Sequence, residues 1–454
     1  MIGRRAAVGG LLAASVTLPL ASARASLFEV ERRPSETFIL KNGLQVVVLP
    51  SKRAPIVMQL LVYKVGSADE TFGQTGIAHF LEHMMFKGTD TIGPREFSRI
   101  VSRNGGRENA FTSMDMTGYH QTIAADRLEL VMRMEADRMA NLRIAEKELT
   151  PEREVVLEER RMRVDNVPAE LLDEAVREPL FGQHKPYAMP TVGYVDDVKR
   201  LGVDDLTAFY RRFYTPNNAV LIVAGDATPE AVQKLAETHY GPIPARPVEP
   251  RHRPAEGGTG LPQRVTRADA RVAEPRWNRD FIAPSYRAGE ARHAYALLVL
   301  AELFGGSETS RLSRALVADS KIALSASAGY SANRLGLSSF ELSVHPAHGR
   351  SVADIEASVG GQMKRVLDGD ITAQEVERAQ NQLLAFAIYS QDSLASGPRL
   401  YGSLLATGDS ISEVDHWPQA IAAVRPDDVV AAARHVWRDD RSVTSLLTPA
   451  GGWP

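Results

Sequence analysis

The sequence contains no cysteine among its 454 residues. Thiolate is therefore absent from catalysis and from metal ligation, no disulfide can form, and any metal site has to be built from His, Asp or Glu. Stability must come from core size alone. A chain of 454 residues, 44% hydrophobic and 24% charged, is long enough for two or three domains. A basic excess is equally lacking: 53 Lys and Arg face 56 Asp and Glu, giving a formal net charge of -3. With no dense block of lysine and arginine, the chain offers no electrostatic footprint for nucleic acid. Nor is there a glycine loop of the phosphate-cradling kind.

A membrane-spanning run is also missing at the N-terminus. The apolar stretch Ala6 to Leu20 holds two glycines and falls short of the roughly 18 to 20 residues that span hydrocarbon. It follows Arg4-Arg5 and precedes Ala23-Arg24-Ala25, the order of an export signal with a small-residue cleavage site. Residues 1–25 are expected to be removed, leaving a periplasmic or secreted protein that starts near Ser26 and has no anchor. The arginine pair leaves twin-arginine export open as the route.

What is present reads as α+β. Thr37 to Leu40 and Leu44 to Leu49 are β-rich runs flanking the hairpin signal Asn42-Gly43. Val57 to Val65 is a further strand, and Ala219 to Val223 a buried one. Helices are predicted for Thr75 to Lys87, from Pro94 to Asn104-Gly105, for Asp126 to Met139, and from Thr150 as N-cap with Pro151 at the first helical position to about Arg163. Between Gly241 and Gln263 proline and glycine crowd the chain, which marks a linker. The expected organisation is a first domain over 26–245, a linker over 246–263 and a second domain over 264–454. The second half repeats the style of the first, with a strand near Phe281, helices Ala291 to Phe304 and Ser310 to Ser320, and strands near Leu324 and Phe340. Two homologous domains, each an antiparallel sheet with helices packed on it, are the natural reading.

Only the first half carries a histidine pair, in Gly76-Ile77-Ala78-His79-Phe80-Leu81-Glu82-His83-Met84-Met85-Phe86. On a helix, His79 and His83 present both imidazoles on one face, within reach of one ion. Glu82, three residues on from His79, is placed to take a proton from water held there. This is H-x-x-E-H, the inverted zinc motif. Chance would produce it roughly 0.02 times in a chain of this histidine and glutamate content, so a random pair is a poor explanation. The apolar flanks predict a largely buried helix, whose polar groups need partners.

The segment resembles the pitrilysin and mitochondrial processing peptidase family, in which a glutamate 76 residues beyond the second histidine completes the zinc site. That position is Glu159, within Pro151 to Arg161. The resemblance further implies one Zn2+ per chain, a supporting role for Glu152, and a substrate-pairing strand at Gly105-Gly106, Asn109 to Ser113 and Asp115 to Tyr119. Asn109 and Ala110 are then candidate substrate contacts. Helical geometry agrees in part: Glu152 and Glu159 lie two turns apart on one face, whereas Glu158 is rotated by about 100°. The family's architecture implies that two such bilobed halves enclose a chamber, so this chain is expected to form half of a clamshell acting on peptides or unfolded segments.

One departure stands out. Active relatives use an Arg and a Tyr, seven apart, to bind substrate and steady the oxyanion; the matching positions here are Val317 and Leu324, which donate nothing. Arg311, Arg314 and Tyr330 lie nearby at the wrong spacing. The chain thus resembles the zinc-holding subunit of a two-subunit enzyme, with a related partner supplying Arg and Tyr. A non-catalytic assembly subunit is the main rival reading, and a metal-dependent hydrolase of non-peptide esters the third.

Overall fold

The computed structural model describes residues 35–253, 262–390 and 393–453. The expected signal segment and residues 254–261 of the expected linker lie outside the described residues. The first sheet contains β1 (Glu36–Ile39), β2 (Gln45–Pro50), β3 (Ile56–Tyr63), β4 (Arg107–Thr112), β5 (Thr117–Ala124) and β6 (Ala219–Gly225), in the order β1-β2-β6-β3-β5-β4. The second contains β7 (Gln263–Asp269), β8 (Arg276–Ala283), β9 (Ala323–Tyr330), β10 (Ser338–Pro346) and β11 (Ser442–Pro449), in the order β7-β11-β8-β10-β9. Omitting β1, the two orders are the same when each strand is replaced by the one five places later. Even the single parallel pair recurs, as β2 beside β6 and β7 beside β11, within otherwise antiparallel sheets. The duplication suspected from the sequence is thus carried by topology.

Every residue of β6 is buried and β3 is buried beyond its first residue, because both faces of the first sheet are covered. Alternation sorts the side chains. Val57, Leu61 and Tyr63 enter the core that contains the His79 helix, whereas Met58, Leu60 and Val62 face the opposite way, against Leu405 and Ala406. Those two residues belong to a helix of the second half, Ser396–Ala406. In return the first-half helix Pro168–Phe181 lends Val176, Leu180 and Phe181 to a cluster with Ile282, Leu337 and Val443 of the second half. Each half therefore closes the other's sheet, and the described residues form one compact unit.

The helix expected to begin at Pro151 begins instead at Glu146 and runs to Arg160, with Pro151 inside it. Burial of Leu149 holds the extra turn against the core, Glu146 and Glu148 complement its N-terminal dipole, and Thr150 donates to Glu146 rather than capping. The described part of the linker is also anchored. Arg253 donates to Asp69 and Asp115 at 2.8 and 2.9 Å, and Arg251 donates to the Asp115 carbonyl at 2.6 Å. Asp115 also accepts from the Tyr187 hydroxyl and from the Leu335 N–H of the second half.

Candidate metal centre

The motif residues lie on the helix Ile77–Met84, whose entry is fixed by close backbone approach. Gly76 adopts φ +86° and Gly193 φ +81°, and a Cβ on either would strike the other's segment, at 2.7 Å from the Val192 carbonyl or 2.4 Å from the Thr75 carbonyl. Glycine is required at both on conformation and on space. The buried Glu70 carboxylate then accepts from the Gly76 and Ala78 N–H groups at 2.8 and 2.9 Å, satisfying donors that a helix start leaves open. Burial pushes the Glu70 pKa well up even against those hydrogen bonds.

Ile77, Phe80, Leu81 and Met84 of this helix pack into the first core, which leaves His79, Glu82 and His83 facing the helix Glu146–Arg160 and β4. His79 Nε2 lies 3.6 Å from Glu159 Oε1, and His83 Nε2 lies 3.2 Å from Glu159 Oε2. One ligand atom from each of the three falls within 4.8 Å of the others. Glu159 is 15% exposed in its side chain, whereas Glu158 is 48% exposed and pairs outward with Arg161. Glu152 approaches from the far side of His83, accepting from Nδ1 at 2.9 Å, and also pairs with Lys87. With Nδ1 so engaged, Nε2 is left pointing into the cluster.

Glu82 receives a hydrogen bond of 2.6 Å from the Thr112 hydroxyl at the end of β4. Among the described residues β4 pairs only with β5 and is the edge of its sheet. Asn109 is exposed on it, and the Asn109 side chain accepts from the Ala110 N–H at 2.9 Å. All the residues anticipated from the sequence, His79, Glu82, His83, Asn109, Ala110, Glu152 and Glu159, line one cavity of about 820 Å³. Lys87, Glu70 and Thr112 were not anticipated as members of this arrangement. For Lys87 a signal existed, since it follows His83 by one helical turn.

Two imidazoles and a carboxylate, converging from two helices, form a donor set that suits a borderline divalent cation such as zinc. The His79 Nδ1 atom is buried and has no hydrogen-bond partner among the described residues. Without an ion the cluster is held by a proton. Burial alone would depress the His83 pKa, but Glu152 and Glu159 override it and raise it to about 9. The imidazoles of His79 and His83 beside it hold the Glu159 carboxyl far below its ordinary range. For Glu152 burial acts upward, and hydrogen bonds from His83 and Lys87 bring it down.

In the second half, Val317 packs against the core and Leu324 is exposed on β9. The polar residues nearby are engaged locally. Arg311 makes a two-pronged ion pair with Glu375 at 2.8 and 2.9 Å, and the Tyr330 hydroxyl donates to the Pro284 carbonyl at 2.6 Å.

Comparison with known proteins gives the family. Residues 46–193 match the family described as insulinase (peptidase family M16), and residues 200–383 match the peptidase M16 inactive domain. The chain is 30% identical over 425 residues to the zinc protease PqqE of Helicobacter pylori, covering 91% of this chain and 93% of that one. It is 32% identical over 419 residues to an uncharacterized zinc protease of Mycobacterium tuberculosis, covering 91% and 92%. The crystal structure of a protease from Helicobacter pylori superposes with a TM-score of 0.85 at 27% identity, over 92% of this chain and all (100%) of that one. The periplasmic protease PqqL of Escherichia coli shares the fold, with a TM-score of 0.78 at 20% identity, over 92% of this chain but 48% of that one. With its two halves matched in order and a relative of 30% identity covered almost end to end, the chain belongs to peptidase family M16, the pitrilysin family.

Proposed function

We propose that the protein is a zinc metalloendopeptidase in which His79, His83 and Glu159 hold one Zn2+ and Glu82 is the general base. The observation that carries this reading is the convergence of those three side chains beside a Thr112-held Glu82, at the foot of an open cavity and next to a free sheet edge. When bound, zinc acidifies water and polarises a carbonyl. The chain's own residues do the rest. Glu152 fixes the His83 ring by its Nδ1–H, and Thr112 aims the Glu82 carboxylate. Glu82 accepts a proton from the attacking water at one carboxylate oxygen and returns it to the departing amine nitrogen. An extended peptide adds to β4 past Asn109 and Ala110 by main-chain pairing, which selects for unfolded segments rather than for a sequence. To form that pairing the substrate displaces the Asn109 side chain from the Ala110 N–H.

Assembly and location complete the reading. Val317 and Leu324 leave the oxyanion without donors from this chain, so a related subunit carrying Arg and Tyr closes over the first half as a heterodimer. A chain spanning 48% of PqqL is consistent with half of such a clamshell. No helix among the described residues is long and apolar enough to cross a membrane, and with the N-terminal export pattern this supports a periplasmic or secreted enzyme. A purely structural subunit has no use for a half-buried Glu152-His83-Glu159 relay, which disfavours the assembly-subunit reading. The test is Glu82→Gln, which is expected to keep stoichiometric zinc and lose hydrolysis of an unstructured peptide, alongside chelation, which is expected to abolish it reversibly. Full activity in the chelated protein would falsify the zinc reading.

A further inference from the structure

A second group of metal-ligating side chains lies in the other half, away from the M16 motif. Glu290 and His293 sit in the turn that starts the helix Ala294–Gly305, and His435 lies in the last turn of the helix Pro426–Val436. His293 Nε2 is 3.6 Å from Glu290 Oε2, and His435 Nδ1 is 3.6 Å from Glu290 Oε1. Tetrahedral zinc with bonds of about 2.0–2.1 Å places its ligand atoms about 3.4 Å apart. One ligand atom from each of the three residues lies within 4.8 Å of the others, the limit that the His79 cluster also meets.

The likeness between the two clusters goes further than their two imidazoles and one carboxylate. The imidazole centroids are 4.8 Å apart in His79 and His83 and 4.8 Å apart in His293 and His435. In both clusters an exposed arginine lies on the carboxylate: Arg163, 75% exposed, on Glu159, and Arg292, 76% exposed, on Glu290. Arg292 also donates from Nε to His293 Nε2 at 3.4 Å, so that ring nitrogen carries a lone pair rather than a proton, one that an ion would take over from the guanidinium. A side chain as exposed as Arg292 can swing into solvent without losing packing. The guanidinium therefore marks where a cation is favoured rather than blocking it.

We propose that Glu290, His293 and His435 form a second site for a divalent transition cation of the zinc class, independent of the peptidase centre. Its ion would tie the first turn of Ala294–Gly305 to the last turn of Pro426–Val436, two helices that share the second core through Leu297, Leu300, Val429 and Ala433. In topology Ala294–Gly305 stands where the His79 helix stands in the first half: it follows β8 and precedes β9, as the His79 helix follows β3 and precedes β4, the strands that correspond. The site lies at its beginning instead of along its face, and with three protein ligands it leaves the remaining positions to water.

The experiment uses the full chain, stripped of metal, equilibrated with Zn2+ and desalted, with zinc counted by mass spectrometry. Two equivalents are expected for the wild type. The His293→Gln/His435→Gln variant should fall to one while retaining peptide hydrolysis and its circular dichroism, and Glu159→Gln should weaken the other equivalent. Diffraction at the zinc edge on wild-type crystals supplies a reading free of any variant, with an anomalous peak expected among Glu290, His293 and His435. One equivalent in the wild type, an undiminished count in the double variant, or anomalous signal confined to His79 and His83 overturns the proposal. A wild-type chain that binds two equivalents, one of them lost in the double variant, but hydrolyses no peptide would instead strike at the catalytic reading alone.

Discussion

Three glutamates on one helix, Glu152, Glu158 and Glu159, should respond differently to replacement by Gln, and the difference follows from where each carboxylate points. Glu152 accepts from His83 Nδ1 at 2.9 Å and pairs with Lys87, so it holds both the tautomer and the orientation of one proposed ligand. Losing such a partner typically lowers metal affinity by about 10- to 100-fold, or about 1.4–2.7 kcal/mol. Glu152→Gln keeps an acceptor oxygen for Nδ1–H but removes the charge facing Lys87, so the lower part of that range is expected. Glu159→Gln removes a proposed ligand outright and should cost more than Glu152→Gln. Glu158 is 48% exposed and paired outward with Arg161, so its replacement should leave zinc affinity at the wild-type value. The assay is competition for Zn2+ against a fluorescent chelator, with each variant's fold checked by thermal unfolding. Zinc affinity in Glu152→Gln equal to that of wild type would refute the idea that this contact prepares His83 for an ion.

Thr112→Val removes the 2.6 Å hydrogen bond to Glu82 while preserving shape; a bond to a charged group is worth about 1.5–3 kcal/mol. We expect kcat to fall by at least tenfold with KM and zinc content unchanged, and an unchanged kcat would remove Thr112 from the positioning of the base. In the chelated protein, His83 has its pKa raised from 6.5 to about 9, so the stabilisation it contributes is complete below pH 6.5 and is lost as pH rises through about 9. Up to about 3 kcal/mol is involved, and urea midpoints of the chelated protein should decline across that window but not in His83→Gln. The subunit proposal predicts that peptide turnover rises by on the order of 10²- to 10³-fold when a relative bearing the Arg and Tyr is added, because oxyanion donors are worth that much. Full turnover by the chain alone would show that it supplies its own donors.

The parts of the structure legible in the sequence were those set by local pattern. Asn42-Gly43 turns β1 into β2, the apolar run at Ala219 becomes the doubly covered β6, and the H-x-x-E-H spacing places its three polar residues on the side of the helix away from the core. The position of Glu159 came from family resemblance, with helical rotation separating it from Glu158. What stayed illegible depends on segments distant in sequence. Glu70 reads as one more loop acid until the chain folds it under the Gly76 and Ala78 N–H groups. Thr112 reads as a strand residue until β4 ends beside Glu82. The start at Glu146 was missed because Thr150-Pro151 is a strong local cap signal, and burial of Leu149 outweighs it. Arg251 and Arg253, set among prolines and glycines, look like solvated linker charges but are counterions to the buried Asp69 and Asp115.

Comparison of the two halves also bears on why the proposed catalytic chemistry lies in the first. Between β8 and β9, Ala294–Gly305 reads AYALLVLAELFG and buries Ala294, Ala296, Leu297, Val299, Leu300, Ala301, Leu303 and Phe304, so nearly its whole circumference faces protein. Imidazoles and a carboxylate placed among those buried side chains would be desolvated by the apolar core. The first-half helix, turned with one side open to the 820 Å³ cavity, tolerates His79, Glu82 and His83 because Glu152, Glu159 and Thr112 meet them there. Giving up apolar burial on that side forgoes on the order of 1.5–3 kcal/mol per side chain, a loss that a bound ion can offset, since metal affinity adds to folding free energy. The second half, free of that cost, contributes instead the helix Ser396–Ala406 that backs β3 and β6. The strands beneath the His79 helix are thus held from behind by the half that has no such motif, and the catalytic proposal requires that both be present for the first half's geometry to persist.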